Sequence, residues 1–157
     1  MSRAVRVRVN GREHTLEVRD HEVLLDILRE ELHLWSVREG CGVGICGSCT
    51  VLLDGAPVSS CLVLAARMDG RAVTTVEGLG SAQELHPVQQ AFLEAGGLQC
   101  GYCTPGLVLS VVALLSEEPD AGPDAVRDYL AGNLCRCCAY PDILRAVEIA
   151  RSLPSSG

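Results

Sequence analysis

Aromatic residues are nearly missing from this sequence, which has one Trp, one Phe and three Tyr among 157 residues. Any core is therefore built from Val, Leu, Ala and Ile, and small domains of that kind are marginal unless something staples them. Basic charge is also short. Thirteen Lys and Arg against 20 Asp and Glu leave a net charge of −7, which argues against a nucleic-acid partner, because that role needs a basic face to neutralise phosphates. Long apolar runs are absent: the longest, Leu107 to Leu115, has nine residues broken by Ser110. That is too short to cross a bilayer, and no membrane association is expected. The first residues, Met1-Ser2-Arg3-Ala4-Val5-Arg6, are charged and alternating and lack a signal-peptide hydrophobic stretch. A cytoplasmic location is expected. No solenoid-type repeat, Ser/His/Asp set, phosphate loop or carboxylate pair stands out, so no bond-making site is expected either.

Cysteine is abundant, with nine residues. In a reducing cytoplasm disulfides rarely persist, and closely spaced cysteines there are more often metal ligands or redox centres than bridges.

The chain divides into two differently patterned halves. Residues 4–9 and 12–18 alternate apolar and polar about Asn10-Gly11, which predicts a β-hairpin. Leu24, Leu25, Leu28 and Leu32 recur at helical spacing between Val23 and Leu32. Thr50 to Leu53 reads as a strand, Asp54-Gly55 as a second hairpin turn, Val58 as the start of the return strand, and Ala72 to Val76 as a last strand. Hairpin, helix and further strands in that order predict an α+β unit, a mixed sheet packed on one helix. The pattern changes around Gly78, Gly80 and Ser81, placing the expected domain boundary between residues 1–78 and 79–157. Beyond it four helices are expected. They are marked by Val88, Phe92 and Ala95; by Leu107 to Leu115, apolar on most sides and so central; by Val126, Tyr129 and Leu130; and by Ile143, Val147 and Ala150. Short connections between them suggest a four-helix bundle.

Each half carries a cysteine group. Cys41, Cys46, Cys49 and Cys61 have the spacing C-x4-C-x2-C-x11-C, whose first three members match plant-type 2Fe–2S ferredoxins. An anionic centre with four thiolates needs hydrogen-bond donors, and side-chain donors are nearly absent from Cys41 to Cys49. Backbone N–H groups must supply them. Gly40, Gly42, Gly44 and Gly47 let the chain wrap closely, with positive φ where needed. A structural zinc site or buried free thiols are the alternatives, but zinc favours C-x2-C pairs across a longer spacer.

Cys100 and Cys103 form a C-x2-C pair, and Cys135 and Cys137 a C-x-C pair. The first alone is ambiguous, since thioredoxin-like and zinc sites share it; the second is less usual for zinc. Thr104-Pro105 reads as an N-cap and first helical residue, and Pro141 with Asp142 opens the last helix in the same manner. Both pairs are then expected just ahead of helix N-termini that converge on one anionic centre.

Four segments carry a resemblance: Cys41 to Val51 (CGVGICGSCTV), His86 to Phe92 (HPVQQAF), Gln99 to Gly106 (QCGYCTPG) and Asn133 to Cys137 (NLCRC). They closely resemble the iron–sulfur subunit of the xanthine dehydrogenase, aldehyde oxidoreductase and carbon monoxide dehydrogenase family of molybdenum hydroxylases. The match runs in the same order over nearly the whole chain. The resemblance implies a β-grasp, ferredoxin-like 2Fe–2S domain followed by a helical 2Fe–2S domain. It also implies an electron-transfer role, from a molybdopterin cofactor (as the cytosine dinucleotide) in a large subunit toward FAD in a medium subunit. By resemblance Cys100, Cys103, Cys135 and Cys137 ligate the cluster proximal to molybdenum, and Cys41, Cys46, Cys49 and Cys61 the distal one nearer flavin. Gln99 matches the position whose amide contacts the pterin. Gly42, Gly44 and Gly47 belong to the distal cluster loop. The chain length suggests that the molybdenum and flavin domains are separate polypeptides, in a heterotrimer or a dimer of heterotrimers.

One departure stands out. Where the family usually has Thr-Gly-Tyr after the last ligand, this chain has Cys138-Ala139-Tyr140. Cys138 is read as a small buried apolar residue, the sharper alternative being an alternate ligand or a redox-sensitive thiol beside the pterin. Arg136 either tunes the potential of a cluster or pairs at a subunit surface. His14, His21, His33 and His86 share no ligand spacing and are read as surface or capped residues and not as metal ligands. A free-standing two-cluster carrier is the alternative function, and a zinc protein with a structural role a third.

Overall fold

The computed structural model describes residues 1–154. Its first half is a five-stranded mixed sheet in the order β2-β1-β5-β3-β4. Strands β1 (Ser2–Val9) and β2 (Arg12–Arg19) form the expected hairpin, with Val5 opposite Leu16 and Val9 opposite Arg12. Asn10 and Gly11 both have positive φ, 49° and 80°, the twist-matched turn that Asn-Gly favours. Asp54 and Gly55 repeat this chemistry between β3 (Thr50–Leu53) and β4 (Ala56–Ser59). Strand β5 (Ala72–Thr74) pairs parallel to β1 and antiparallel to β3.

Val5, Val7 and Val9 on alternate positions of β1 bury one sheet face against Leu24, Leu25, Ile27 and Leu28. The helix bearing those residues is short. α1 (Leu24–Asp26) runs straight into a π-helical segment, Ile27–Glu31, in which Leu32 N–H reaches back five residues to the Ile27 carbonyl at 3.2 Å. The wider turn still packs Leu32 against the core that its spacing predicted. Strand β5 also ends earlier than the expected Val76. Thr75 is buried, its N–H donating to Asn10 Oδ1 and its Oγ1 accepting from Asn10 Nδ2, both at 2.9 Å. This side-chain clasp takes the place of the ladder.

The second half is helical: α2 (Pro87–Ala95), α3 (Thr104–Glu117), α4 (Pro123–Leu130) and α5 (Tyr140–Ser152). Leu107, Val108, Val111 and Leu114 of α3 meet Phe92, Val126, Leu130, Ile143 and Val147 in one core. Helix α3 is buried on nearly every side, because its far face, Leu109 and Ala113, packs on Leu52 of β3. The two halves thus share an apolar contact as well as a covalent connection. His86 caps α2, its Nδ1 accepting from Val88 N–H while Gln89 Oε1 accepts from His86 N–H. Two helix starts lie one residue earlier than expected. Cys103, not Thr104, precedes α3 in the cap position, and its carbonyl accepts from Leu107 N–H at 3.1 Å. Thr104 falls inside the first turn, where its Oγ1 is buried without a partner. Helix α5 likewise starts at Tyr140, after Ala139. Among the described residues no helix is long and apolar enough to cross a membrane.

Candidate metal centres

The glycine-rich loop before β3 folds around a sulfur atom. Cys41 Sγ accepts backbone N–H groups from Ile45 at 3.3 Å, Cys46 at 3.4 Å and Val43 at 3.5 Å. Gly42, Gly44 and Gly47 have φ of 65°, 74° and 68°, a conformation that turns successive N–H groups inward and strains any side-chain-bearing residue. Space enforces the composition as well. A Cβ on Gly40 would lie 2.8 Å from Cys46 Sγ, and one on Gly44 would overlap Leu62. Backbone donors supply what the side chains lack. Their convergence pulls the Cys41 thiol down to about 6, first through the Val43 N–H and then those of Cys46 and Ile45.

The two remaining cysteines of this group arrive from the other side. Cys49 and Cys61 are both buried, and Ser60 joins them by donating Oγ–H to the Cys49 carbonyl at 2.8 Å. Burial, followed by the adjacent Cys49 thiol, pushes Cys61 up to about 11, against the pull of the Gly44 N–H.

In the helical half the C-x2-C and C-x-C pairs interleave. Cys103 faces Cys135, and burial followed by that neighbour pushes the Cys103 thiol up to about 12. Cys100 faces Cys137 and accepts the Tyr102 N–H, the main cause of its lowered pKa, while the Arg38 guanidinium adds to the effect. Cys137 accepts the Cys100 N–H. Cys103 directly precedes α3, and Cys137 lies three residues before α5. Both helix starts therefore adjoin the same four sulfurs, as the sequence suggested. Tyr140, the first residue of α5, accepts the Cys135 N–H on its hydroxyl at 2.9 Å and steadies the C-x-C loop.

Among the described residues no three His, Cys, Asp or Glu side chains converge on one metal-ion position. The eight thiols gather two by two instead: Cys41 with Cys46, Cys49 with Cys61, Cys100 with Cys137, Cys103 with Cys135. Two thiolates for each of two irons is the donor set of a 2Fe–2S centre, whereas a structural zinc needs all four around one point. The residues fit two such clusters, one in each half.

Cys138 is not buried, which corrects the sequence reading. It sits exposed in a left-handed turn, φ 61°, with its sulfur 3.8 Å from the Arg136 carbonyl. Cys137, and not Cys138, lies beside Cys100. Gln99 is exposed, one residue ahead of Cys100. Arg136 is also exposed, and His33 stacks on Trp35 with ring centroids 5.8 Å apart.

Arg38 and Tyr102 form a junction that the sequence did not signal. Arg38 Nη1 donates to the Gly101 carbonyl at 2.7 Å and its guanidinium lies 5.1 Å from the centre of the Tyr102 ring. Tyr102 O–H donates to the Glu39 carbonyl at 2.5 Å. The approaches to Cys41 and to Cys103 are thereby clasped together across 63 residues of sequence.

Thiol reactivity offers a direct check of these environments. In the folded, iron-free chain near neutral pH, Cys41 is largely thiolate while Cys61 and Cys103 stay protonated, and only the thiolate is nucleophilic. Iodoacetamide is expected to label Cys41 well ahead of Cys61 and Cys103, as peptide mass spectrometry would report. Equal labelling of the three would contradict the geometry.

Comparisons with known proteins agree with this arrangement. Residues 7–75 match the family described as a 2Fe-2S iron-sulfur cluster binding domain, and residues 75–148 one described as a 2Fe-2S binding domain. The chain is 45% identical over 159 residues to the aldehyde oxidoreductase iron-sulfur-binding subunit PaoA of Escherichia coli, covering 92% of this chain and 69% of that one. It is 42% identical over 146 residues to the nicotinate dehydrogenase small FeS subunit of Eubacterium barkeri, covering 93% of each. Among solved structures, quinoline 2-oxidoreductase from Pseudomonas putida 86 superimposes with a TM-score of 0.91 at 38% identity, over 96% of this chain and 94% of that chain.

Proposed function

The chain belongs to the iron–sulfur small subunits of the xanthine dehydrogenase and aldehyde oxidoreductase family, and from that premise we propose that it is the electron-transfer subunit of a molybdenum hydroxylase complex. The observation that carries the reading is the two-by-two gathering of eight thiols, four in each half. Cys41, Cys46, Cys49 and Cys61 hold the distal 2Fe–2S cluster, and Cys100, Cys103, Cys135 and Cys137 the proximal one. Bound there, the clusters supply one-electron centres linking a molybdopterin cofactor in a large subunit, as the cytosine dinucleotide, to FAD in a medium subunit.

The chain's own residues provide the setting. Backbone N–H groups of Val43, Ile45 and Cys46 turn toward Cys41 and those of Tyr102 and Cys100 toward Cys100 and Cys137, stabilising negative charge on sulfur. Each cluster must also come close to a cofactor in another chain. Large apolar side chains are exposed near both groups: Val43, Ile45 and Leu62 near the first, Leu98, Tyr102 and Leu134 near the second. We assign the first face to the FAD subunit and the second to the molybdopterin subunit, with the Gln99 amide reaching the pterin. The two halves correspond to a β-grasp domain, 1–78, and a four-helix-bundle domain, 79–157, in a cytoplasmic heterotrimer or dimer of heterotrimers.

The test is purification of the tagged chain from its native cells. Two larger polypeptides carrying molybdopterin and FAD are expected to co-purify in equal proportion. A cluster-loaded chain that elutes alone from cells making its genomic neighbours would identify a free-standing carrier instead.

A further inference from the structure

The two cysteine loops are connected to each other, and one buried side chain, Asn133, lies at the connection. Asn133 is 6% exposed, and both polar atoms of its amide have partners, drawn from both halves of the molecule. Nδ2 donates to the Gly47 carbonyl at 3.1 Å and to Thr50 Oγ1 at 3.3 Å. Oδ1 lies 2.9 Å from Ser110 Oγ, whose hydroxyl proton it shares with the Gly106 carbonyl, also at 2.9 Å. Thr50 and Ser110 are buried as well. Thr50 directs its own proton to the Gly47 carbonyl at 2.7 Å, so both groups facing Nδ2 are acceptors and the amide has only one satisfied orientation. Gly47 lies between Cys46 and Cys49, while Asn133 lies two residues before Cys135.

Beside this amide the backbones meet directly. Leu134 N–H donates to the Cys46 carbonyl at 2.9 Å. Cys46 and Cys135, one from each group of four, are thus joined through backbone and a single hydrogen bond. The approach leaves no room for side chains: a Cβ on Gly47 would overlap the Gly132 carbonyl oxygen, and one on Gly106 the Gly47 carbonyl oxygen.

We propose that Asn133 is a positioning residue for electron exchange between the two groups. Its amide clamps the Gly47 turn onto the start of the C-x-C loop and holds the Leu134 N–H on the Cys46 carbonyl. The step served is transfer of one electron, one centre oxidised as the other is reduced, with no bond made or broken. This rests on the reading that each group of four holds a 2Fe–2S cluster. Aspartate in place of Asn133 keeps the size but sets an acceptor against two acceptors, so it opens the seam through charge and hydrogen bonding and not through volume.

The experiment uses the full chain with its clusters, reduced by dithionite. Low-temperature EPR of the parent should show splitting or broadening from magnetic interaction of two reduced centres. Asn133→Asp and Asn133→Ala are expected to lose that interaction at unchanged iron content, while exchange of the Leu134 amide rises about tenfold or more. Ser110→Ala, which leaves Asn133 in place and removes the hydroxyl shared by its Oδ1 and the Gly106 carbonyl, should move both readouts in the same direction and decides the matter if the Asn133 variants do not fold. Loaded variants with the parent's spectrum and the parent's Leu134 exchange would overturn the inference alone. A parent without iron and sulfide would overturn the cluster reading and the inference with it.

Discussion

Serine in place of Cys103 is expected to halve the iron in the protein, from about four atoms per chain to about two. Cys103 is paired with Cys135, and its surroundings hold the free thiol protonated. Metal binding must displace that proton. A serine hydroxyl gives up its proton far less readily and is a poorer ligand for iron, leaving one iron under-coordinated. One EPR signal should vanish while the other, from the centre held by Cys41, Cys46, Cys49 and Cys61, persists. With the order of centres proposed above, transfer of electrons through the complex should cease. The comparison that gives the experiment its force is Cys138→Ser. Cys138 is exposed in a left-handed turn, and its loss should leave iron content and both signals unchanged. Full iron in Cys103→Ser, or lost iron in Cys138→Ser, would reassign the ligands.

Alanine at Gly106 should be strongly destabilising although the position has no positive φ. The added Cβ would overlap the Gly47 carbonyl oxygen, and a backbone oxygen inside a cysteine loop cannot swing aside as a side chain does. Helix α3 would have to move away from the loop, disturbing the Asn133 contacts and the Leu52–Leu109 packing together. Overpacking of this sort costs about 3 kcal/mol or more, and in a chain of this length each kcal/mol lowers the melting temperature by roughly 2–4 °C. Gly101→Ala is the control. Gly101 has φ of 75° but nothing within 4 Å of its virtual Cβ, so only backbone strain of about 1–2 kcal/mol applies. Thermal unfolding of the cluster-loaded protein should separate the two clearly. Equal melting temperatures would mean that the halves are not wedged together at Gly47 and Gly106.

Local chemistry made most of the architecture legible. Asn10-Gly11 and Asp54-Gly55 announced their hairpins because two consecutive positive-φ residues leave few other choices. The central position of α3 followed from an apolar run with no polar stripe. The π-helical segment after Asp26 left no trace, since Leu24, Leu25, Leu28 and Leu32 suit either turn width and packing decides between them. Thr104 misled for a related reason: Thr-Pro fits a cap and first turn equally well shifted by one residue, and Cys103 took the cap.

The candidate site divides along the same line. Cysteine spacing and glycine content exposed the two groups of four and the need for backbone donors, because both are short-range constraints. The contacts of Arg38, Tyr102, Ser110 and Asn133 are not legible in the sequence, since they depend on partners 23 to 86 residues away. Cys138 departs from the expectation that free cysteines are buried, for it lies exposed in a left-handed turn.

The most direct measurement is EPR, with iron and acid-labile sulfide analysis, on the anaerobically purified chain reduced with dithionite. About four irons and four sulfides per chain and two distinct S = 1/2 signals are expected. Colourless protein without iron or sulfide, all nine of its thiols reacting as free groups, would contradict the assignment of a cluster to each half.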